Sequence, residues 1–85
     1  MTWSGIADAS VSVIVPCWNR PDLLVGVLEC LRAQTYPIRE ILVADDGSSE
    51  DLSPACSRFG AHLIRLPEHR GFAAAVNRGF DEALS

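Results

Sequence analysis

Two neighbouring carboxylates are the residues of this chain best suited to chemistry. Asp45 and Asp46 follow a short apolar run and precede Gly47. Neighbouring residues of a strand point to opposite faces, so we expect the two aspartates to have different roles. One carboxylate can accept a hydrogen bond from a ribose hydroxyl or from the ring N–H of a pyrimidine, while the other caps the loop. An Asp-Gly turn whose acids bond only the local backbone is an equal alternative.

Two further loops supply polar groups. Asn19 stands just before a predicted helix, where backbone N–H groups and the helix dipole favour a phosphate, and it can cap that helix, contact a ligand or do both. Arg70 is the basic residue best placed to meet a diphosphate or a base edge, with a surface salt bridge as an equal alternative. Asn77 and Gly79 are poor helix formers inside a helical pattern, which indicates a packing or polar reason for each.

The sequence does not complete a catalytic or metal-binding set. Its three cysteines, Cys17, Cys30 and Cys56, match no zinc spacing, and their odd number argues against a disulfide framework. Cys30 falls on an apolar helix face, so we expect a buried thiol there. No general acid or base is identifiable. One aspartate could share a metal with groups that these residues do not include.

Composition excludes several classes of protein. The 85 residues make one small domain at most, and the 48% hydrophobic and 21% charged fractions are typical of a globular chain. No apolar run is long enough to span a membrane, and the first ten residues do not resemble a secretory signal. The net charge of −4 argues against a nucleic-acid partner and against a polybasic lipid anchor.

Strand patterns alternate with helix patterns along the chain. Strands are predicted over 10–15, 40–44 and 62–66, with Pro16 ending the first. Helices are predicted from about 21 to 34, from 48 or 49 to 59, and from 72 onward. The apolar face of the third helix is predicted to comprise Phe72, Ala75, Val76, Phe80, Ala83 and Leu84.

Such alternation implies a parallel sheet with right-handed crossovers. The carboxyl ends of its strands then share one edge, which brings together the loops 17–20, 45–48 and 68–71. Ligands of open α/β sheets bind outside this edge. The sequence therefore predicts that the three loops form one pocket.

Four stretches carry a family resemblance: residues 11–24 (VSVIVPCWNRPDLL), 33–37 (AQTYP), 40–49 (EILVADDGSS) and 68–80 (EHRGFAAAVNRGF). In order and spacing they resemble the N-terminal part of the family 2 glycosyltransferases, which have the GT-A fold. The last stretch is most similar to the rhamnosyltransferase-like branch. The resemblance implies a three-layer, Rossmann-like α/β half with a parallel sheet, in which 1–9 are a tail and 10–85 the nucleotide-binding portion.

The resemblance also implies a function. Family members transfer a hexosyl group from a nucleotide-diphosphate sugar to an acceptor hydroxyl, often in polysaccharide biosynthesis and usually with Mg²⁺ or Mn²⁺. By position, the nucleotide-binding residues would be Pro16, Asn19, Asp45 and Asp46, with Arg70 and Asn77 as weaker candidates.

The resemblance places the family's metal-binding Asp-x-Asp and its base after the third helix. We therefore expect no catalytic residue and no metal in this chain, and a truncated domain that is inactive alone. The expected location is the cytoplasm, with the membrane surface as the alternative for the full-length protein. Two positions depart from the family: Val76 stands where many members have Arg, and His69 where many have Asn.

Two further expectations concern partners. In a doubly wound sheet a fourth strand pairs beside the first, so the 10–15 strand would leave an open edge. We expect the chain to self-associate through that edge or to have low stability. A non-catalytic interaction module that keeps the fold without binding nucleotide is the alternative function. A dinucleotide-dependent oxidoreductase is disfavoured, because the first loop lacks the Gly-x-Gly-x-x-Gly pattern.

Overall fold

The computed structural model describes residues 11–35 and 38–84, except for the side chain of Leu84. The predicted tail, Ser10, Tyr36, Pro37 and Ser85 lie outside the described residues. The elements in chain order are β1 (Val11–Cys17), α1 (Pro21–Ala33), β2 (Ile38–Asp45), α2 (Ser53–Phe59), β3 (His62–Arg65) and α3 (Phe72–Leu84). The alternation of strands and helices predicted from the sequence is confirmed.

The three described strands form one parallel sheet in the order β1-β2-β3. Cys17 pairs with Asp45 across the first ladder, and Asp45 pairs with Arg65 across the second. The last residues of all three strands are therefore in register. This register places the three following loops at the same edge of the sheet.

The first strand does not end at Pro16 as predicted. It continues to Cys17, with Pro16 paired to Ala44 in register. Proline removes a backbone donor, which is tolerated where a strand lies at the edge of a sheet. Among the described strands β1 does lie at an edge, and self-association through that edge stays a prediction.

Helices cover both faces of the sheet. The main core cluster joins α1 and the α2 region to one face of β2: its members are Leu24, Leu28, Ile41, Val43, Leu52, Ala55 and Cys56. Side chains alternate along a strand, so Leu42 and Ala44, which are equally buried, face the opposite side. There α3 packs over β1 and β2. The result is the three-layer α/β arrangement expected from the sequence.

The ends of the first two helices differ from the prediction. Asn19 does not cap α1; the N-cap position is Arg20, which makes no side-chain cap, and Pro21 opens the first turn. The second helix starts at Ser53 rather than at 48 or 49, because the preceding residues form loop contacts described below. Gly60 ends α2 in the left-handed conformation, with φ of 67°, as predicted.

Cys30 is exposed and not buried as predicted. The buried side of α1 contains Leu24 and Leu28. At about 100° per residue, position 30 lies about 200° away from position 28, on the solvent side.

Small residues set how α3 lies on the sheet. Ala75 is fully buried and Gly79 is buried, whereas Phe72 and Phe80 are 73% and 53% exposed. The predicted apolar face of the third helix is therefore only partly buried, and both of its phenylalanines are exposed. A Cβ at Gly79 would lie 2.5 Å from Cγ2 of Ile14 on β1. The backbone of α3 thus approaches β1 more closely than any residue with a side chain allows.

No helix within the described ranges is long and apolar enough to cross a membrane.

We expect Gly79→Ala to lower the free energy of unfolding by up to about 2 kcal/mol. This is the difference between an overpacking cost of about 1–3 kcal/mol and a helix-propensity gain of about 1 kcal/mol. Gly26→Ala on α1 is the matched control, since a Cβ there meets nothing within 4 Å, and it should raise stability. Urea denaturation of the two variants measures the difference. Equal stabilisation by both would contradict the close approach of α3 to β1.

Candidate functional site

The three loops that follow the strands are joined by hydrogen bonds. The N–H of Asp46 donates to the carbonyl of Cys17 at 2.9 Å, which links the first two loops. The N–H of Asn19 donates to Oγ of Ser48 at 2.8 Å, which links them a second time. The N–H of Arg70 donates to the Asp46 carboxylate at 2.8 Å, which attaches the third loop. The predicted gathering of the loops is therefore present.

Asn19 is the residue that shapes the first two loops. Its backbone is left-handed, with φ of 51°, a conformation that asparagine tolerates better than most residues. Its Oδ1 accepts the N–H of Ser49 at 2.8 Å and that of Glu50 at 3.1 Å. The side chain therefore binds the loop after β2, and these contacts explain why α2 starts later than predicted.

Asp45 holds its own loop. Its side chain is fully buried, and Oδ1 accepts the N–H of Ser48 at 2.9 Å. Its Oδ2 has no hydrogen-bond partner among the described residues and lies 3.4 Å from Nε of Arg65 on β3. This carboxylate caps the turn, which is one of the two roles expected for the pair.

Asp46 binds the third loop. Oδ1 accepts the N–H of Arg70, and Oδ2 accepts the N–H of Gly71 at 2.9 Å. Nδ1 of His69 lies 2.8 Å from the same Oδ2. Burial raises the pKa of this carboxyl, but the two N–H groups and the His69 ring outweigh burial and leave the pKa below its usual value. Asp46 is therefore ionised at neutral pH.

A pocket of about 190 Å³ opens beside Asp46. It is lined by Pro16, Cys17, Trp18, Asp46, His69, Phe72 and Ala75. The Trp18 and His69 rings stack, with centroids 4.2 Å apart and planes 22° from parallel. The pocket thus combines one buried carboxylate with three aromatic rings and apolar walls. Such a surface can stack a planar ring and accept a hydrogen bond from its edge.

The residues predicted for the site fall into three groups. Pro16 and Asp46 line the pocket, whereas Asn19 and Asp45 fix the loops around it. The Arg70 guanidinium points to Glu68, at 2.6 Å, and is not among the lining groups.

Asn77 is exposed on α3 and does not line the pocket either. A ligand-binding role for Arg70 or Asn77 is therefore not supported by this pocket and stays a prediction.

Neither His69 nor Trp18 was among the residues predicted for the site. Both belong to loops that the strand order places at the same edge, and this shared position was the available signal. Cys17 also lines the pocket. Burial is the largest influence on its thiol and raises its pKa, so the thiol is protonated at neutral pH and is a poor nucleophile.

The described residues do not form a metal site. They contain no group of three or more His, Cys, Asp or Glu side chains placed to hold a metal ion. The divalent metal implied by the resemblance therefore does not fit residues 11–35 and 38–84 alone.

Comparison with known proteins identifies related sequences. The model of a family described as glycosyl transferase family 2 matches residues 12–85. An uncharacterized glycosyltransferase of Rickettsia felis is 35% identical over 80 residues, which cover 91% of this chain and 13% of that protein. The hyaluronan synthase of Pasteurella multocida is 42% identical over 80 residues, covering 88% of this chain and 8% of the synthase. The chain spans only a small part of the length of these relatives.

Solved structures share the fold. A mannosyltransferase from Pyrobaculum calidifontis, in complex with GDP-Man and Mn²⁺, superposes with a TM-score of 0.75 at 29% identity, covering 84% of this chain and 23% of that one. Glucosyl-3-phosphoglycerate synthase from Mycobacterium tuberculosis superposes with a TM-score of 0.72 at 22% identity, covering 91% and 31%. The second likeness concerns the fold alone.

Gly47 allows the third loop to reach Asp46. A Cβ at Gly47, where φ is 73°, would collide with the backbone of Glu68 and His69. We expect Gly47→Ala to destabilise the protein by about 2–4 kcal/mol, because overpacking of about 1–3 kcal/mol adds to left-handed strain of about 1 kcal/mol.

Gly60→Ala is the matched control for that substitution. Its φ of 67° is similar, but a Cβ there meets only the end of the Arg32 side chain, at 3.3 Å. Urea denaturation measures the stability of each variant, and amide exchange of Arg70 and Gly71 measures the protection of the third loop. Together they distinguish the collision of a Cβ with the third loop from left-handed backbone strain. If both variants lose the same stability and keep the two amides protected, the loop does not depend on Gly47.

Proposed function

The chain belongs to glycosyl transferase family 2, and from that premise we propose that its pocket binds the nucleotide of a nucleotide-diphosphate sugar. The whole protein would transfer the hexosyl group of this donor to an acceptor hydroxyl. The chain would contribute donor binding, and the transfer step would use groups beyond the described residues. We infer that these residues alone are inactive.

The observation that carries the proposal is the environment of Asp46. A carboxylate offers about four acceptor positions, and the N–H groups of Arg70 and Gly71 and the ring of His69 take three of them. One position is left on a buried, ionised carboxylate that lines a pocket. A ring N–H is the complementary group, and uracil, thymine and guanine each carry one. Adenine in a nucleotide does not.

The aromatic wall supports the same ligand class. Trp18 is 48% exposed and borders the pocket, so its ring is accessible to a planar base. Base–aromatic stacking contributes about 1–3 kcal/mol. A base that stacks near Trp18 and donates to Asp46 would be held in both position and orientation. The sugar, the acceptor and the rhamnosyltransferase-like assignment stay predictions.

A relative points to the same donor class. The mannosyltransferase structure contains GDP-Man. Its guanine base carries a ring N–H. We therefore propose a uracil or guanine nucleotide sugar as the donor, with the divalent metal held by residues outside 11–35 and 38–84.

Binding of UDP-glucose, GDP-mannose and ADP-glucose to the intact protein tests the proposal. Isothermal titration calorimetry should show saturable binding of UDP-glucose or GDP-mannose and much weaker binding of ADP-glucose. Asp46→Asn should weaken the favoured donor roughly ten- to a hundredfold, because a hydrogen bond to a charged group contributes about 1.5–3 kcal/mol.

Asp81→Asn is the control for the loss of one negative charge, since Asp81 is exposed on α3 and does not line the pocket. Circular dichroism would check that Asp46→Asn still folds. Equal binding of all three nucleotides, or an unchanged affinity in folded Asp46→Asn, would argue against base recognition by Asp46. A folded protein that binds none of them would favour the non-catalytic interaction module.

A further inference from the structure

The open side of β1 is surrounded by exposed apolar side chains. Among the described strands β1 pairs only with β2. The large hydrophobic residues that are exposed within the described ranges are Val11, Trp18, Leu23, Val27, Phe72 and Phe80. They belong to β1, to the residue after it, and to α1 and α3; none of those that the structure describes comes from β3 or α2. A contiguous apolar patch of this kind marks an interaction site.

One apolar rim of this side is formed by α1. The sheet side of α1 contains Leu24 and Leu28, and at about 100° per residue Leu23 and Val27 lie on one flank of the helix. That flank borders β1, because Leu23 and Val27 line a groove of about 270 Å³ together with Val15. A second groove, of about 460 Å³, continues along the same helix. The α1 rim is therefore open to a further apolar surface beside β1.

The other rim is formed by α3, on the opposite face of the sheet. Gly79 lies against Ile14 of β1, so it marks the sheet side of α3. Phe72, Val76 and Phe80 lie about 20–100° around the helix from Gly79. Because α3 is right-handed and starts at the edge where the strands end, this flank is turned toward the open side of β1. Phe72 accordingly borders the pocket at the end of β1.

The backbone of β1 presents hydrogen-bonding groups between the two rims. The carbonyl of Cys17 accepts the N–H of Asp46 and so points toward β2. Directions alternate along a strand, so the N–H and C=O groups of Ser12 and Ile14 point to the open side. Pro16 points the same way but has no N–H to donate. Strand pairing on the open side is therefore limited to the part of β1 that precedes Pro16.

We propose that the open side of β1 binds a second copy of the chain, with the two β1 strands antiparallel and a two-fold axis at Val13. In that register Ser12 lies opposite the partner's Ile14, so the outward N–H and C=O groups of both residues are paired. Each Val13 lies opposite the partner's Val13. The inference does not rest on the proposed function, because it uses none of the contacts of Asp46.

A second copy is the occupant that the chemistry of this side favours. A strand placed between the two rims is covered on both faces, so it must be apolar on both. β1 itself meets this requirement, since Val13 and Val15 pack against the α1 side of the core and Ile14 faces α3. The two-fold arrangement also places α1 beside α1 and α3 beside α3. The sequence of β1 contains no charged side chain, so the net charge of −4 does not oppose contact at this strand.

The available area approaches what a stable dimer needs. Such interfaces bury about 800 Å² on each partner. Aromatic side chains bury about 150–250 Å² each. Phe72 and Phe80 are 73% and 53% exposed, so these two rings alone offer roughly 250 Å². The α1 rim and the outward edge of β1 add to this area.

Sedimentation equilibrium of the Met1–Ser85 chain over a concentration series tests the inference, and a dimer is expected. Val27→Glu on the α1 rim and Phe80→Glu on the α3 rim should each raise the dimer Kd about tenfold or more, because an unpaired charge would be buried. Ala33→Glu is the matched control. It adds the same charge to α1 at an exposed position, about 120° around the helix from Val27, and should leave the Kd unchanged.

Disulfide cross-linking tests the register. The background replaces the three cysteines of the chain by alanine. Val13→Cys should form a disulfide between copies on oxidation, because residues opposed in a non-hydrogen-bonded pair have Cα atoms about 4.5 Å apart. Val11→Cys is the matched control. Val11 is exposed but lies opposite the partner's Val15, so its two copies are about 13 Å apart along the strand.

Several results would overturn the inference. A chain that stays monomeric at all concentrations would assign the open side of β1 to a strand of another sequence. An unchanged Kd in both rim variants, or cross-linking of Val11→Cys as efficient as that of Val13→Cys, would place the contact elsewhere. Circular dichroism identifies any variant that does not fold, and the remaining variants then decide.

Discussion

The Asp46 carboxylate is the contact on which the site depends. It directly follows the buried central strand and receives the N–H groups of Arg70 and Gly71 from a loop 24 and 25 residues further along the chain. Burying a carboxylate is costly unless hydrogen bonds compensate it. The loop before α3 supplies that compensation and in return is fixed against the sheet. The same interaction therefore stabilises the fold and places the carboxylate beside the pocket.

Backbone geometry makes this contact possible. Gly47 leaves the space that the peptide joining Glu68 and His69 occupies, and Gly79 lets α3 approach Ile14 on β1. Both glycines act by the absence of a Cβ, one at a loop and the other in a helix. Together they bring the start of α3 to the edge of the sheet where the strands end. The pocket between Trp18 and Phe72 is a consequence of this packing.

The sequence predicted the architecture better than it predicted individual contacts. Periodicity and β-branched runs were sufficient for the order of elements, the parallel sheet and the gathering of three loops, because these follow from local patterns and crossover handedness. Local patterns do not predict the contacts between loops. Asn19 was expected to cap α1, contact a ligand or do both. Its side-chain amide instead accepts the N–H groups of Ser49 and Glu50, a contact that depends on tertiary structure. The exposure of Phe72 likewise depends on how closely α3 packs.

Family membership and site geometry give complementary information. Family membership supports our proposal of sugar transfer by the whole protein. The geometry supports our proposal that a carboxylate with one acceptor position left and an aromatic ring hold the donor. Amide hydrogen exchange of Arg70 and Gly71 in the intact protein, with and without UDP-glucose or GDP-mannose, tests the central claim most directly. The account predicts slow exchange of both amides at neutral pH and slower exchange when the donor is bound. Exchange of both at the rate of an unstructured chain, unaffected by either nucleotide sugar, would contradict it.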